Sequence, residues 1–522
     1  MPPLFLIGFM AAGKTSVGRA IAQTSGREFV DLDDQVAAMG EPVATLVARD
    51  EPEFRRREAR ALAELIAQDS TAVIATGGGA AAYGENLDRM RAAGLVVALG
   101  VDVATAEQRA AGGPSRPLLA SAATLAVTRA PSYRRAHAMV DTTARTIPEV
   151  VAAVTAVERT WLRLPPAHRQ ATIVALGDRS YAVTVGGALD ASLLRDQLGA
   201  ATRIAVITDR NVARYLPLLG SLVHDILEIE PGEPSKAFAV YEQLCNDLVA
   251  RGLDRGSAIV ALGGGVVGDL AGFVAATLFR GIPVIQVPTT IVAMTDAAIG
   301  GKTAVDLPAG KNLVGAFWQP RLVACSTDML ATLPARDRRA GFGELWKYAL
   351  LDGRELWELV AACAGWAAGP DGTPPPPELR AAIDRSIAYK AAIVGRDERE
   401  LTGHRALLNL GHTIGHAIES ASGMLHGEAV GLGLIAACRV SAAITGTRAE
   451  LESEVAFALA ASGLPVDLDR WLTDEVLARV QVDKKRIGTN LRFIAVREVG
   501  ACEPVEVAVT ELGRILRFVQ RA

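Results

Sequence analysis

The pattern of hydrophobic and polar positions changes twice along the chain. Up to about residue 157, short apolar runs alternate with stretches of helical period. "PLFLIGF" (3–9), "TAVIATGGG" (71–79) and "GLVVALG" (94–100) are nearly continuous apolar segments ending near a glycine or a polar residue. Such runs predict parallel strands buried on both faces. With helices between them they predict an α/β/α sandwich. "TWLRLPPAHRQATIV" (160–174) interrupts the pattern with two prolines and a charge cluster, which predicts a linker. The strand-then-turn unit then returns in "RIAVITDRNV" (203–212), "SAIVALGGG" (257–265) and "IPVIQVPTT" (282–290). Beyond about residue 330 the period is mostly helical, apart from "LRFIAVREVG" (491–500), and "GPDGTPPPPE" (369–378) reads as a proline-rich loop tip. The expected division is 1–159 for the first α/β unit, 160–171 for a linker, 172–330 for a second α/β part and 331–522 for a mainly helical part.

Composition narrows the class. At 522 residues, 50% hydrophobic and 21% charged, the chain is globular and long enough for about three domains. A net charge of −4 gives no basic field for nucleic acid or an anionic membrane, and neither is expected as a partner. Five scattered cysteines without a C-x-x-C favour reduced thiols in a cytosolic protein. The first residues carry no basic n-region and no A-x-A site, so the expected location is cytoplasmic. "GLGLIAACRVSAAI" (431–444) is shorter than a membrane span and is broken by Arg439, so it reads as a buried helix.

The first strand runs into "LIGFMAAGKTSVG" (6–18), a G-x-x-x-x-G-K-[ST] loop. Backbone N–H groups of Ala11, Ala12, Gly13, Lys14, Thr15 and Ser16 at such a turn suit phosphate oxygens, aided by the N-terminal charge of the following helix. Lys14 adds a point charge for the β/γ-phosphates, and the Thr15 hydroxyl suits Mg²⁺. "FVDLDD" supplies Asp31 and Asp33, two apart at a strand end and so facing one way: one for hydrated Mg²⁺, one to draw a proton from a hydroxyl. "EFRRRE" supplies Arg55 and "TGGG" (76–79) supplies backbone donors. Singly, these stretches read equally well as a solvated turn, a charged helix face and a tight turn.

Together and in this order they resemble shikimate kinase, over nearly all of residues 1–157. The resemblance implies phosphoryl transfer from ATP to the 3-hydroxyl of shikimate. "RAAGGPSRPLL" is similar to that family's lid, with Arg109 against the adenine and Arg116 on the transferring phosphoryl group. Arg55 and Arg129 of "RAPSY" would grip the substrate carboxylate, Gly78 would give a backbone contact, and Arg145 of "TTARTIP" would border the adenine. Asp33 would orient or deprotonate the hydroxyl. Positioning and charge neutralisation carry most of such a step.

In the second half, "VALGGGVVGDLAGF" (260–273) is a strand followed by a glycine-rich turn, which also suits a plain strand–helix junction. "NLGHTIGHAIESASGMLHGEAVG" (409–431) is more specific. It holds three of the chain's seven histidines. His412 and His416 share a helix face, and His426 follows, so a metal site is expected; spacing alone points to His412 and His416 as ligands.

From about 172 to 522 the chain resembles 3-dehydroquinate synthase, through "LGDRSY", "PGEPSK", "GGGVVGDLAGF", "QVPTT", "GGKTAVD", "GKNLVGAFWQP", "LATLPARDRRAGFGELWKY", "LNLGHTIGHAIE", "LHGEAVG" and "DKK". The resemblance implies metal ligands Glu344, His412 and His426, with zinc or cobalt, and makes His416 a general acid/base. It implies NAD contacts at Asp209, Glu233, Lys236, Gly265, Val266, Val267, Gly268, Asp269, Thr289, Thr290, Lys302, Lys311, Met329, Leu330, Ala331 and Thr332. Substrate contacts fall on Lys302, Lys347, Lys390, Arg405, Asn312 and Asn409, and Lys484 or Lys485 would close the carboxylate side. Arg280 would come from a neighbouring subunit, so a homodimer is expected. The reaction implied is 3-deoxy-D-arabino-heptulosonate 7-phosphate to 3-dehydroquinate plus phosphate, with NAD regenerated each turn. "MTDAAIGGK" (294–302) departs from the family's "QVDSSVGGK", retaining Asp296 and Lys302 but putting Ala297 and Ala298 where hydroxyls are usual. "AVDL" (304–307) likewise stands where an Asn-His pair is common. Two rivals remain at this level: a polyol dehydrogenase in the second half, and a regulatory protein with one inactive half.

Overall fold

The computed structural model describes residues 1–68, 70–111, 122–481, 486–487 and 490–518. The chain forms two compact units, Met1–Thr184 with Ala391–Arg396, and Val185–Lys390 with Asp397–Ala522.

In the first unit, β1 (Leu4–Gly8), β2 (Phe29–Asp31), β3 (Val73–Ala75), β4 (Leu95–Gly100) and β5 (Ala138–Asp141) form a sheet in the order β2-β3-β1-β4-β5. Every pairing in it is parallel. Every residue of β1 and β4 is buried, which is why their sequences lack the alternation of half-exposed strands. The helix Lys14–Ser25 leaves β1 through the left-handed Gly13. Gly8 stands at φ 135° with Leu99 O 2.3 Å from where a Cβ would sit, so the loop can turn there only with glycine.

Residues 160–171 are not an exposed spacer. A helix runs through Ile147–Leu162, and Trp161 and Leu164 are 3% and 2% exposed. The Trp161 indole donates to Arg169 O at 2.7 Å and the Arg169 guanidinium lies over its ring. The prolines shape a turn that packs a tryptophan, so the first unit extends past the expected boundary, through β6 (Thr172–Val174) and into β7 (Tyr181–Gly186), its antiparallel partner.

In the second unit, β8 (Ile204–Asp209), β9 (Asp225–Ile229), β10 (Ala258–Gly263) and β11 (Val284–Pro288) precede a hairpin of β12 (Lys302–Leu307) and β13 (Gly310–Phe317), then β14 (Leu322–Ser326). The order β14-β11-β10-β8-β9 is parallel throughout. Helices fill most of Ala335–Gln481. Residues 172–330 and 331–522 are therefore not separate compact bodies, since one unit spans 330/331. The helix His426–Thr445 is long and apolar enough to cross a membrane, but 78% of its apolar window is buried, as expected for a core helix.

A three-stranded sheet of β15 (Arg486–Ile487), β16 (Asn490–Glu498) and β17 (Ala501–Ala508) closes the unit. Only β16 was legible as a strand. β17, "ACEPVEVA", carries Pro504 and two glutamates, and it sits at the sheet edge, where proline is tolerated.

Candidate active sites

The first site is a cavity of about 740 Å³ lined by the loop from Met10 to Val17, Asp31, Asp33, Arg55, Gly77–Gly79, Arg109, Arg129 and Arg145. It opens at the carboxyl end of central strand β1. Asp31 and Asp33 do not share a strand face: β2 stops at Asp31, which caps the next helix by accepting from Asp33 N at 3.1 Å. Its other oxygen accepts from Thr15 Oγ1 at 2.9 Å. Lys14 Nζ donates to the carbonyls of Gly8 and Phe9.

Burial, then the charge of Asp31, raises the Asp33 carboxyl, against Lys14 and Arg55. Its Oδ1 is buried without a hydrogen-bond partner. Arg55 donates to Glu58 at 2.7 Å and Glu51 at 3.1 Å. A Cβ on Gly77 would meet Glu58 Oε1 at 2.1 Å, so glycine lets this turn approach the buried pair. Tyr133 donates to Gly78 O at 2.5 Å. Arg109 donates to Thr142 O at 2.7 Å and to Ala11 O of the loop at 3.5 Å. Arg116 lies outside the described residues. Glu58 and Tyr133 were missed by sequence reasoning, although Glu58 stands three after Arg55 and Tyr133 four after Arg129.

The second constellation joins several elements. Asp209 ends β8, and Gly265–Asp269, Thr289, Thr290 and Met329–Thr332 follow the carboxyl ends of β10, β11 and β14, the edge where open α/β sheets take ligands. The helix Gly265–Thr277 has no acidic residue in its first turn, so its positive end faces that edge unopposed. Lys236 pairs with Asp269 at 2.6 Å. Asn312 is left-handed at φ 56°, its N–H donating to Asp306 at 2.8 Å. Arg280, at φ 68°, follows the far end of that same helix, about 20 Å along its axis from Gly265.

Asp296 sits in a π turn, Ala293–Ala297, and gathers cations. Lys390 Nζ lies 2.8 Å from Oδ1, Lys347 Nζ 3.5 Å, and Tyr348 donates to it at 3.0 Å. Burial works against the Asp296 charge, but Lys390 and Lys347 outweigh it and hold the carboxyl low. Burial lowers Lys390 to about 8, against Asp296 and helped by Arg405. Lys302 pairs with Glu400 at 2.5 Å, and Arg405 approaches the same oxygen at 3.5 Å. Gln319 donates to Glu398 at 2.9 Å. Glu398 and Glu400 escaped the sequence reading, because "RDERE" looks like a solvated charge run. Asn409 ends the short 3₁₀ helix His404–Asn409, just before His412. Lys484 and Lys485 lie outside the described residues.

The histidines have a specific geometry. Donor atoms of His412, His416 and His426 lie within 4.8 Å of one another. His412 commits Nδ1 to Leu410 O at 3.0 Å, and His426 commits Nδ1 to Glu419 Oε2 at 3.0 Å. Both therefore donate from Nδ1 and turn Nε2 to Glu344 Oε1, at 3.4 and 3.2 Å. Burial works against a charged His426, but Glu344 and Glu419 outweigh it and raise the ring to about 10, so the site favours a cation between these groups, a proton or a metal ion. Two imidazoles and a carboxylate are the donor set of a catalytic zinc-type site. Lys347 pairs with the other oxygen of Glu344 at 2.5 Å. His416, exposed, belongs to the same cluster.

Comparison with known proteins finds three family matches along the chain. The shikimate kinase family matches residues 10–158. The 3-dehydroquinate synthase N-terminal and C-terminal families match 226–340 and 341–486. A 3-dehydroquinate synthase of Caulobacter vibrioides is 44% identical over 346 residues, covering 63% of this chain and 92% of the relative. A structure of 2-deoxy-scyllo-inosose synthase with carbaglucose-6-phosphate, NAD⁺ and Co²⁺ is 27% identical with a TM-score of 0.59, covering 67% of this chain and 99% of its own. The 2-epi-5-epi-valiolone synthase of Streptomyces hygroscopicus, with NAD⁺ and Zn²⁺ bound, is 26% identical with a TM-score of 0.56, over 66% of this chain and 97% of its own.

A kinase and a lyase are thus fused on one chain. The chain belongs to the 3-dehydroquinate synthase family over its larger part and carries a shikimate kinase domain ahead of it. Both are enzymes of the shikimate pathway.

Proposed function

We propose that the first unit transfers the γ-phosphoryl group of ATP to the 3-hydroxyl of shikimate, with Mg²⁺ held by Thr15 and Asp31. Asp33 takes the hydroxyl proton, and Arg55 and Arg129 hold the carboxylate, for which two planar guanidinium groups suit better than lysines. Lys14 and Arg116 neutralise the phosphoryl oxygens, and Arg109 and Arg145 border the adenine.

We propose that the second unit converts 3-deoxy-D-arabino-heptulosonate 7-phosphate to 3-dehydroquinate and phosphate, using NAD along the carboxyl edge of β8, β10, β11 and β14. Glu344, His412 and His426 hold zinc or cobalt. The observation that carries this is the convergence of two imidazole Nε2 atoms on a buried carboxylate. When bound, the metal lowers the pKa of substrate hydroxyls and NAD accepts and returns a hydride. Lys302, Lys347, Lys390, Arg405, Asn312 and Asn409 bind and orient a substrate bearing a phosphate and a carboxylate. Arg280 serves the site of a second copy in a homodimer, because it follows the end of the helix remote from its own. The substrates and nucleotides fit a cytoplasmic enzyme, as do five free cysteines.

His416 separates this reading from the one based on spacing. As an acid/base group it can be lost without loss of metal. His416→Ala retains full zinc content but releases phosphate ~10²–10⁴-fold more slowly. Zinc content measured on the dialysed variant checks this, and loss of metal with activity assigns His416 as a ligand.

Lys390 gives a pH dependence. Its charge is present below about pH 8 and lost as pH rises through that value, so binding of the anionic substrate weakens on the alkaline side. The kcat/KM for phosphate release falls above about pH 8. Lys390→Arg, which keeps its charge, lacks that limb even if its rate is lower. A profile of kcat/KM against pH for both proteins is the check.

A further inference from the structure

The two imidazoles of the metal site are oriented by different means. His412 Nδ1 is held by the backbone carbonyl of Leu410, two residues away. His426 opens a different helix, and its Nδ1 meets a side chain, Glu419 Oε2, from the helix His412–Ser422. The second oxygen of Glu419 accepts from Lys311 Nζ at 3.0 Å, and Lys311 stands on β13 of the hairpin. Lys311 also lies 3.9 Å from Glu233. A carboxylate on the remote nitrogen of a metal-bound histidine fixes the tautomer, aims the ring and increases its basicity.

We infer that Glu419 is a positioning residue for the metal site: it fixes His426 with its lone pair on Nε2, and Lys311 holds Glu419 in the orientation that does so. This rests on the reading of Glu344, His412 and His426 as ligands. Through Lys311 and Glu419, the β12–β13 hairpin and the metal site form one ion-paired chain. Glu419 acts on the site through His426.

The test is zinc binding by the full-length apoprotein, titrated against a chromophoric chelator, with no turnover involved. Glu419→Ala weakens zinc binding ~10–100-fold. Glu419→Gln, which keeps the accepting oxygen without the charge, loses less than the alanine variant. Lys311→Ala weakens binding in the same direction, and adding it to Glu419→Ala costs nothing more. The metal-free melting temperature of the Gln variant stays at the wild-type value while its rise on adding zinc shrinks, which a merely structural role would not produce. Wild-type zinc affinity in both Glu419 variants, with affinity lost in His426→Ala, overturns the role of Glu419 and leaves the metal site standing. Wild-type affinity in His426→Ala overturns the ligand assignment, and this inference with it.

Discussion

His412→Ala lowers phosphate release from 3-deoxy-D-arabino-heptulosonate 7-phosphate at least ~10³-fold and leaves shikimate phosphorylation at the wild-type rate. His412 contributes one of the two Nε2 atoms that converge on Glu344 Oε1. Without it the site has two donors, and Glu344 is left fully buried with Lys347 as its main counter-charge. Burial opposes ionisation of Glu344, but Lys347 outweighs it and holds the carboxyl well below the usual carboxylate range. The shikimate kinase domain shares no ligand with the site, so its rate is the internal control. Metal content and the two rates, measured on one preparation, are the check. Full zinc occupancy with normal phosphate release refutes the assignment.

The second large effect belongs to the kinase. Asp33→Asn is isosteric and removes only the ability to take a proton, so kcat for ADP formation with shikimate falls ~10²–10⁴-fold with little change in KM. Burial and the neighbouring Asp31 raise the wild-type carboxyl, so its proton is lost above the ordinary carboxylate range. The wild-type kcat/KM accordingly falls as pH drops through that raised value, and the residual rate of the variant has no such limb. A variant as fast as wild type across that range eliminates Asp33 as the base.

Much of this was legible in the sequence, and the reasons are local. The phosphate loop is contiguous, so its strand, turn and helix are read together from residues 4–25. β1 and β4 were visible because burial on both faces demands an unbroken apolar run. The parts that escaped depend on contacts between distant segments. Spacing put His416 with His412, since both lie on one helix, and could not foresee that Glu344, from another helix, would face His412 and His426. Glu400 was hidden in a charge run until the fold placed it 2.5 Å from Lys302. The segment around Pro165 read as a linker because prolines and charges resemble one, whereas Trp161 and Arg169 pack it into the first unit. Asp31 and Asp33 line one cavity because a helix cap brings them together, and not through strand alternation.

The most direct test of two complete enzymes on one chain is a single preparation assayed twice. With the heptulosonate phosphate, zinc and catalytic NAD⁺, the account predicts one phosphate released per substrate consumed and no net NADH. With shikimate, ATP and Mg²⁺, it predicts one ADP per shikimate. NADH accumulating in step with substrate would identify the second unit as a dehydrogenase. Absence of either product from a folded, metal-loaded chain would mean that one half does not catalyse, and the account would be wrong.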